Sequence, residues 1–498
     1  MRILSTKQIR ELDAYTIQHE PVASIDLMER ASRAFTDWFT LHIDTAKKIA
    51  VVCGTGNNGG DGLAIARLLD DWGYSVKVWI VRGGVPESPD FKINYSKLPE
   101  DILRTEIKSE GDPLLLDGCE VIVDAVFGSG LSRPPDGLYA HVIGVMNAAP
   151  ALRVSVDIPS GLMADTHSSG SVVRAHYTIS FQLPKLAFLL PENYPYTGEW
   201  VTVDIGLSKK FLREQSTRYW YTTLKDVAKL LKVRSKFDHK GAFGHALLIS
   251  GSYGKMGAAV LAAKAALRSG LGLLTVHVPE CGYTILQTAV PEAMAEIDED
   301  RFLFSKAPDV RRYDTLGIGP GLGQDERTVK ALARTLEDFQ KPVVLDADAL
   351  NILGANRPLL HLVPPGSILT PHPKEFQRLT GPWKDDFERL EMQKQLATSL
   401  KSVVVLKGAY TSIAAGDAVH FNSTGNPGMA TGGTGDVLTG ILTGLLAQNY
   451  SAAEAAITGV FLHGLSGDLA AAGLGTDSLI ATDLIENLPN AFLKTRRR

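Results

Sequence analysis

Cysteine is scarce in this chain. Cys53, Cys119 and Cys281 are its three thiols, far apart and odd in number, which argues against a disulfide framework and a CxxC-type zinc site. The first two lie inside apolar runs, where buried structural thiols are expected, and the set suits a reducing compartment. A surplus of one charge is also lacking. The 51 Lys and Arg against 55 Asp and Glu leave a formal net charge of -4, without the basic excess of a general nucleic-acid binder. The basic end, Arg496 to Arg498, reads as a frayed, solvated tail. No uninterrupted apolar stretch approaches the roughly 18 to 20 residues of a membrane span. The most apolar region, 258–278, is broken by Lys264, Arg268 and glycines. The opening MRILSTKQIRELD has too short an apolar run for a signal sequence. The expectation is a cytoplasmic protein with neither nucleic acid nor membrane as partner.

What is present is enough apolar sequence for more than one core. With 498 residues, 45 % hydrophobic and 21 % charged, roughly two to four domains are expected. Two successive halves repeat strand, glycine-rich turn and helix, the pattern of a parallel α/β sheet. Ser5 and Gln8 have capping-box spacing. Met28, Ala31, Phe35 and Trp38 recur at helical spacing from Ser24 onward, a buried stripe. Continuous β-type runs cover 49–53, 76–81, 121–126, 153–158 and 200–205, then 245–250, 273–278, 315–318, 343–346, 367–369 and 403–406; they lack alternation, as strands covered on both faces do. The pattern lapses between Leu207 and Thr223, which places domains at 1–215 and 225–498. Alanine-rich helices close the chain from Asp436.

Gly54-Thr55-Gly56-Asn57-Asn58-Gly59 matches GxGxxG between a strand and a helix. The dinucleotide-binding fingerprint then fails, because the next strand ends in Val81-Arg82-Gly83 with no acidic residue for a ribose hydroxyl. The loop still lets backbone approach a phosphate at a helix N-terminus. Asn58, Asp124 and Ser160 sit at three strand ends, where open α/β sheets bind ligands. Each could equally cap a turn. Together with Gly128-Ser129-Gly130 they point to a site whose hard oxygen donors suit an alkali or alkaline-earth cation.

These residues carry a resemblance. Leu27 to Ala31, Gly56 to Gly62, Asp124 to Gly128 and Val156 to Leu162 are similar, in order, to the NAD(P)H-hydrate epimerase family, over residues 1–210. The resemblance implies that Asn57, Asn58, Gly59, Gly60 and Asp61, the loop Gly128, Ser129, Gly130, Leu131, Ser132, Arg133 and Pro134, and Asp157 contact the hydrated nucleotide. It implies a potassium ion held by Asn58, Asp124 and Ser160. Ser129 stands where the family usually has threonine, and keeps the hydroxyl. Asp124 is also the first candidate for proton handling, so ligand and acid compete for one carboxylate.

The second half has a stronger motif, Gly432-Gly433-Thr434-Gly435-Asp436, ahead of an apolar helix. A glycine turn at a helix N-terminus is an anion hole, and the helix dipole there favours an ionised Asp436. Such a carboxylate is placed to take a proton from a hydroxyl during phosphoryl transfer; its bland alternative is an N-cap. No GxxxxGK[ST] string occurs, so this is not a P-loop. The motif resembles the ribokinase-like superfamily. With Gly257 to Ala259, Gly319 to Gly323, Asp346 to Asn351, Leu369 to Glu375 and Lys407 to Thr411, residues 225 to the C-terminus are similar to ADP-dependent NAD(P)H-hydrate dehydratases.

This second resemblance implies that Ala258, Gly321, His372 and Asp436 contact the hydrate, and that Lys407, Gly408, Ala409, Tyr410, Thr411 and Gly435 hold ADP. His372 could instead serve as a turn residue between two prolines, and Asp346 and Asp348 could order magnesium or cap a helix. The fold implied is two three-layer α/β domains, a Rossmann-like one with a mostly parallel sheet and a ribokinase-like one. The activity implied is repair of NADH hydrate and NADPH hydrate: the first domain interconverts R and S epimers, and the second dehydrates S at the expense of ADP, with Asp436 as base. A homo-oligomer is expected from the same source. The competing reading is a small-molecule kinase with a non-catalytic N-terminal binding module.

Overall fold

The structure, a computed structural model, describes residues 1–20 and 22–496. The chain divides into two compact units, one of residues 2–217 with 385–387, the other of Met1, 218–384 and 388 onward.

The first unit is a seven-stranded sheet. Its strands are β1 (Lys48–Cys53), β2 (Ser75–Val81), β3 (Leu103–Ile107), β4 (Val121–Ala125), β5 (Leu152–Val156), β6 (Tyr177–Phe181) and β7 (Glu199–Val203). They lie in the order 3-2-1-4-5-6-7 and every neighbouring pair is parallel, so the order reverses between β1 and β4. Helices α1 (Thr6–His19), α2 (Ser24–His42), α3 (Asn57–Asp71), α4 (Pro89–Lys97) and α5 (Gly137–Ala148) belong to the same unit. Alternate residues of the central strands feed two cores. Val51 and Val123 pack with Phe35, Phe39 and Ile65, whereas Val52 and Ile122 pack with Val142 and Met146, as a period of two on a doubly covered sheet requires.

Ser5 and Gln8 form the capping box of α1. In α2, Met28, Ala31 and Phe35 are buried with Phe39, whereas Trp38 is half-buried and stacks on His42. Cys53 is buried, but Cys119 is only half-buried. The strand expected over 153–158 ends at Val156, because Asp157 turns into the left-handed region with φ 67°. Strands β3 and β6 were not expected. Their polar residues masked them: Thr178 and Ser180 are fully buried in β6, with hydroxyls donated to Thr197 O and Leu183 O.

The second unit contains β8 (Tyr219–Tyr221), β9 (His245–Ile249), β10 (Leu273–Val278), β11 (Met294–Ile297), β12 (Thr315–Ile318), β13 (Val343–Leu345), β14 (Ile368–Leu369), β15 (Val403–Leu406), β16 (Ser412–Ala415) and β17 (Ala418–Phe421). Their order is 8-17-16-15-14-13-12-9-10-11. Only the β15–β16 and β16–β17 pairs are antiparallel. Here the order reverses between β9 and β12. Helices that matter below are α6 (Met256–Arg268), α7 (Ala347–Ala355), α8 (Pro373–Thr380), α9 (Thr434–Ala447), α10 (Ala452–Leu474) and α11 (Ala481–Arg496).

Small residues let α9 and α6 touch through their backbones. A Cβ on Gly440 would lie 2.1 Å from Ala262 O, and one on Gly444 only 1.9 Å from Ser269 Oγ. Among the described residues α10 is long and apolar enough to cross a membrane by length and composition. Thr458, His463, Ser466 and Asp468 punctuate it, so it holds no unbroken apolar run of that length. Most of that apolar window is buried inside the protein, as in a core helix. The segment read as lacking periodicity holds a short helix, Lys209–Glu214, as well as β8. Arg496 ends α11 and donates to Lys232 O, unlike a frayed tail; Arg497 and Arg498 lie outside the described residues.

Phe35, fully buried between α2 and the first sheet, gives the simplest test of this packing. Phe35→Ala should lower the unfolding free energy by about 3–5 kcal/mol, read as an earlier denaturant midpoint for the first unit. A midpoint unchanged from wild type would contradict the core assignment.

Candidate active sites

The first site lies where strand order reverses, outside the carboxyl ends of β1 and β4, the place an open α/β sheet offers a ligand. Glycine is required there by contact. A Cβ on Gly54 would stand 2.2 Å from Val126 O, and one on Gly59 would stand 1.9 Å from Gly54 O. The chain thus turns into α3 with Asn57 exposed at its start and Asn58, Gly59, Gly60 and Asp61 buried.

Asn58, Asp124 and Ser160 are brought into one linked cluster. Asn58 donates from Nδ2 to Val156 O at 3.0 Å, while its Oδ1 is buried with no hydrogen-bond partner. Asp124 has no exposure. Its Oδ2 accepts from Ser155 Oγ (2.7 Å) and Ser160 N (2.9 Å), and its Oδ1 from Ser160 Oγ (2.5 Å). Burial holds the Asp124 carboxyl above the usual carboxylate range, against the opposing effect of those bonds. Phe127 N donates to Ser160 Oγ, and Gly128 abuts the Asn58 side chain. One carboxylate, one hydroxyl and an orphaned amide oxygen are hard donors of the kind that fit an alkali or alkaline-earth cation.

The loop from Gly128 to Pro134 follows. Gly128, Ser129 and Leu131 are partly exposed, and Gly130, Ser132, Arg133 and Pro134 are exposed. Gly130 O accepts from Arg10 Nη2 at 3.1 Å. Asp157 is committed to a salt bridge: its Oδ1 accepts from Lys185 Nζ and from Phe181 N (3.1 Å). Lys185 is 1 % exposed, and its Nζ also donates to Ser180 Oγ at 2.8 Å. Asp61 is pushed well above the usual range by burial, then by Asp157, Asp13 and Asp90. Asp13, on α1, is raised to about 7 by burial and then by Asp157, with Lys185 opposing. Lys185 and Asp13 were not read from the sequence. The one available signal was a lysine inside the apolar run Leu183-Pro184-Lys185-Leu186-Ala187-Phe188.

The second site lies at the carboxyl edge of the other sheet. Ser250 Oγ donates to Pro320 O (2.7 Å) and Ser252 Oγ to Gly321 O (2.6 Å), tying the loops after β9 and β12 together. Next to them is a cavity of about 490 Å³ whose lining includes Ala258, Gly321, Asp348, Gly432, Gly433 and Asp436. Of the four expected hydrate contacts, Ala258, Gly321 and Asp436 line it. His372 does not. It is the N-cap of α8, with Nδ1 accepting from Lys374 N (3.1 Å) and Glu375 N (3.3 Å) while Glu375 Oε2 accepts from His372 N (2.8 Å). The turn role is thus present in the fold, and Nε2 carries the ring proton because Nδ1 accepts.

Gly433, with φ 92°, caps α9, and Asp436 sits in its first turn. The dipole argument favoured a readily ionised Asp436. Instead burial, then the nearby Asp346 charge, raise its pKa to about 6, with Lys407 opposing. Asp346 makes no cap bond at the start of α7. It is 1 % exposed, and accepts from Lys407 Nζ (2.8 Å) and Thr439 Oγ1 (2.6 Å). Burial opposes its ionisation, but the Lys407 charge and these bonds hold Asp346 below the usual range. Asp348 faces the cavity, accepting from Gly323 N (2.8 Å) with Lys255 Nζ 3.6 Å away.

Lys407 also lies 3.9 Å from Glu375. A Cβ on Gly435 would be 3.7 Å from its Nζ, so these two expected nucleotide contacts are neighbours. Gly408, Ala409, Tyr410 and Thr411 form the adjoining turn, in which Thr411 Oγ1 bonds Gly408 N and O. His463 was missed. It is held neutral by burial, its pKa lowered to about 4, and its Nε2 bonds Thr434 O at 2.9 Å beneath the glycine turn.

Removing Lys407 would leave Asp346 buried and unpaired. Lys407→Met should destabilise the second unit by about 3–5 kcal/mol, and a Lys407→Met/Asp346→Asn double variant should regain much of the loss. Denaturant titration of the three proteins decides it: equal losses in the single and double variants would mean the pair is not coupled.

Comparison with known proteins agrees along the whole chain. Residues 24–187 match the family described as YjeF-related protein N-terminus, and residues 246–490 match the family NAD(P)H-hydrate dehydratase. The bifunctional NAD(P)H-hydrate repair enzyme Nnr of Moorella thermoacetica is 36 % identical, covering 98 % of this chain and 96 % of its own length. The enzyme of that name from Coxiella burnetii is 38 % identical over 98 % of each chain. A solved ribokinase-like superfamily protein from Enterococcus faecalis is 29 % identical with a TM-score of 0.51, covering 57 % of this chain and 99 % of its own. The chain belongs to the family of bifunctional NAD(P)H-hydrate repair enzymes.

Proposed function

We propose that the chain returns hydrated NADH and NADPH to the working cofactors, with an epimerase in residues 1–215 and an ADP-dependent dehydratase in residues 225–498. The observation that carries the second activity is Asp436, raised to about 6, lining a cavity beside a glycine turn at a helix N-terminus. Full-length relatives with the repair name leave a lone kinase with an idle first unit without support.

Hydration of the reduced nicotinamide ring puts a hydroxyl on the carbon beside the ring nitrogen, where it leaves poorly as hydroxide. Asp436 takes the hydroxyl proton as that oxygen attacks the terminal phosphorus of ADP; the P–O bond to AMP breaks. The phosphate ester then leaves with its C–O electron pair, the ring nitrogen supplies the compensating pair, and loss of the adjacent C–H proton restores the double bond. The N–H groups of the turn at Gly432 to Gly435 receive charge on phosphate oxygens, and Lys407 with Gly408 to Thr411 holds the nucleotide. Asp348, which lines the cavity with Asp436, would help to hold magnesium, which would neutralise charge on the ADP phosphates.

In the first unit Asn58 Oδ1, Asp124 and Ser160 would hold potassium. The ion would supply fixed positive charge to the site. Asn57 to Asp61, Gly128 to Pro134 and Asp157 form the wall against which the hydrate lies. A cytoplasmic, homo-oligomeric protein belongs to the same proposal.

The deciding assay follows reduced-nicotinamide absorbance after mixing protein with epimer-mixed hydrate, ADP, magnesium and potassium. Full recovery is expected, with none from the second site in Asp436→Ala. Recovery of only the S fraction would leave the first unit a binding module. The dehydratase kcat/KM should fall as pH drops through about 6, because a protonated Asp436 accepts no proton. Asp346→Asn removes a charge that raises Asp436, so it should move that limb to lower pH; an unmoved limb would assign the titration to another group.

A further inference from the structure

The first site needs a proton carrier, and the residue the sequence put forward for it is badly placed. Asp124 has no exposure, and both its oxygens are filled by Ser155 and Ser160. Asp157 is bound by the buried Lys185 and by Phe181 N. The fold brings a different carboxylate to the same edge. Helix α1 reaches the Gly128–Pro134 loop through Arg10: its Nη2 donates to Gly130 O, and a Cβ on Gly130 would come within 2.6 Å of that nitrogen. Asp13 is three residues further along α1, one turn on, hence on the face that carries Arg10. Among the described residues its carboxylate is in no ion pair or hydrogen bond, in contrast to Asp124 and Asp157.

We propose that Asp13 carries the proton to and from the hydroxyl of the hydrate during epimerisation at the first site. The inference rests on the epimerase reading of that site. Protonated Asp13 delivers its proton to the hydroxyl as the C–O bond breaks, the ring nitrogen lone pair forms a C=N⁺ bond, and water departs. Water adds back to the opposite face of that carbon, the C–O bond re-forms, the C=N⁺ pair returns to nitrogen, and the excess proton goes back to Asp13. Nothing is oxidised, and no second substrate is consumed. One group serves as acid and then as base, so its best pKa lies near the working pH. The charged groups around it arrange this: burial and Asp157 raise Asp13 to about 7, Lys185 pulls it down, and Asp61 is coupled to both Asp13 and Asp157. Arg10, on its own helix, is occupied by Gly130 O.

The test uses the full-length protein with R-enriched NADH hydrate. R-to-S conversion is followed chromatographically, with dehydration of the S epimer as the internal measure of a folded chain. Wild-type kcat/KM for epimerisation should fall as pH rises through about 7, because the protonated form starts the reaction. Asp13→Asn should lose at least ~100-fold and the pH limb with it, dehydration being unchanged. Asp13→Glu should keep a titrating limb. A wild-type profile flat around pH 7, or Asp13→Asn epimerising at the wild-type rate, would overturn the assignment while leaving the epimerase reading intact. Failure of wild-type protein to interconvert the epimers at any pH would overturn both.

Discussion

Each unit sets one buried aspartate against one lysine at the carboxyl edge of its sheet, and the site is organised around that pair. In the first unit it is Asp157 with Lys185, in the second Asp346 with Lys407. Desolvating two such charges costs several kcal/mol per ion, and their attraction offsets it only where further hydrogen bonds satisfy both groups. Those bonds are present: Phe181 N and Ser180 Oγ in one case, Thr439 Oγ1 in the other. The pair is electrically neutral as a whole but not at short range. In both sites a second aspartate, Asp13 or Asp436, feels the paired carboxylate more strongly than the paired lysine, after burial itself. The result is a carboxyl group that titrates near neutrality, well above its ordinary range.

Such an arrangement needs backbone at very short range, and glycine supplies it at the turns that matter. Gly54 and Gly59 leave no room for a methyl group between the first turn and the Val126 carbonyl or each other. Gly319, with φ 137°, lets the Asp346 carbonyl approach to within 1.8 Å of where a Cβ would be. Asp157 shows the cost at a residue that must keep its side chain. Its φ of 67° is strained for a non-glycine residue, and the Lys185 salt bridge and Phe181 N–H stabilise it there.

The parts legible in the sequence were those written locally. The Asn57 to Asp61 turn, the Gly432 to Asp436 turn and the continuous apolar strands are each contained in a few consecutive residues, and the capping box from Ser5 to Gln8 spans four residues. Strand β6 was missed because Thr178 and Ser180 break its apolar run, their burial being satisfied only by tertiary hydrogen bonds. Lys185 and Asp13 escaped for a related reason. Nothing near Asp13 in sequence distinguishes it from a solvated helix residue; its setting is made by residues about 50 to 170 positions away. The pKa of Asp436 shows the same division between local and distant effects. The dipole of its own helix is a local effect and was counted, whereas Asp346, which opposes it, comes from another strand end.

The two proposed reactions act on the same carbon and differ in what must leave it. Epimerisation expels water and takes it back, so the leaving group needs one proton and the carbon needs only its neighbouring nitrogen. A single carboxyl with a pKa of about 7 is matched to that exchange, being a usable acid and a usable base at the same pH. Dehydration must run one way, and expelled water would only return. Transferring a phosphoryl group first makes departure effectively irreversible, but it requires the hydroxyl to act as a nucleophile, hence a group that is already ionised at neutral pH. Asp436, raised to about 6, is still mostly ionised at pH 7 and can take that proton. Burial first, and then the carboxylate of a neighbouring Asp–Lys pair, raises both aspartates, so the two sites share the way the carboxyl is tuned and differ in what is made to leave the carbon.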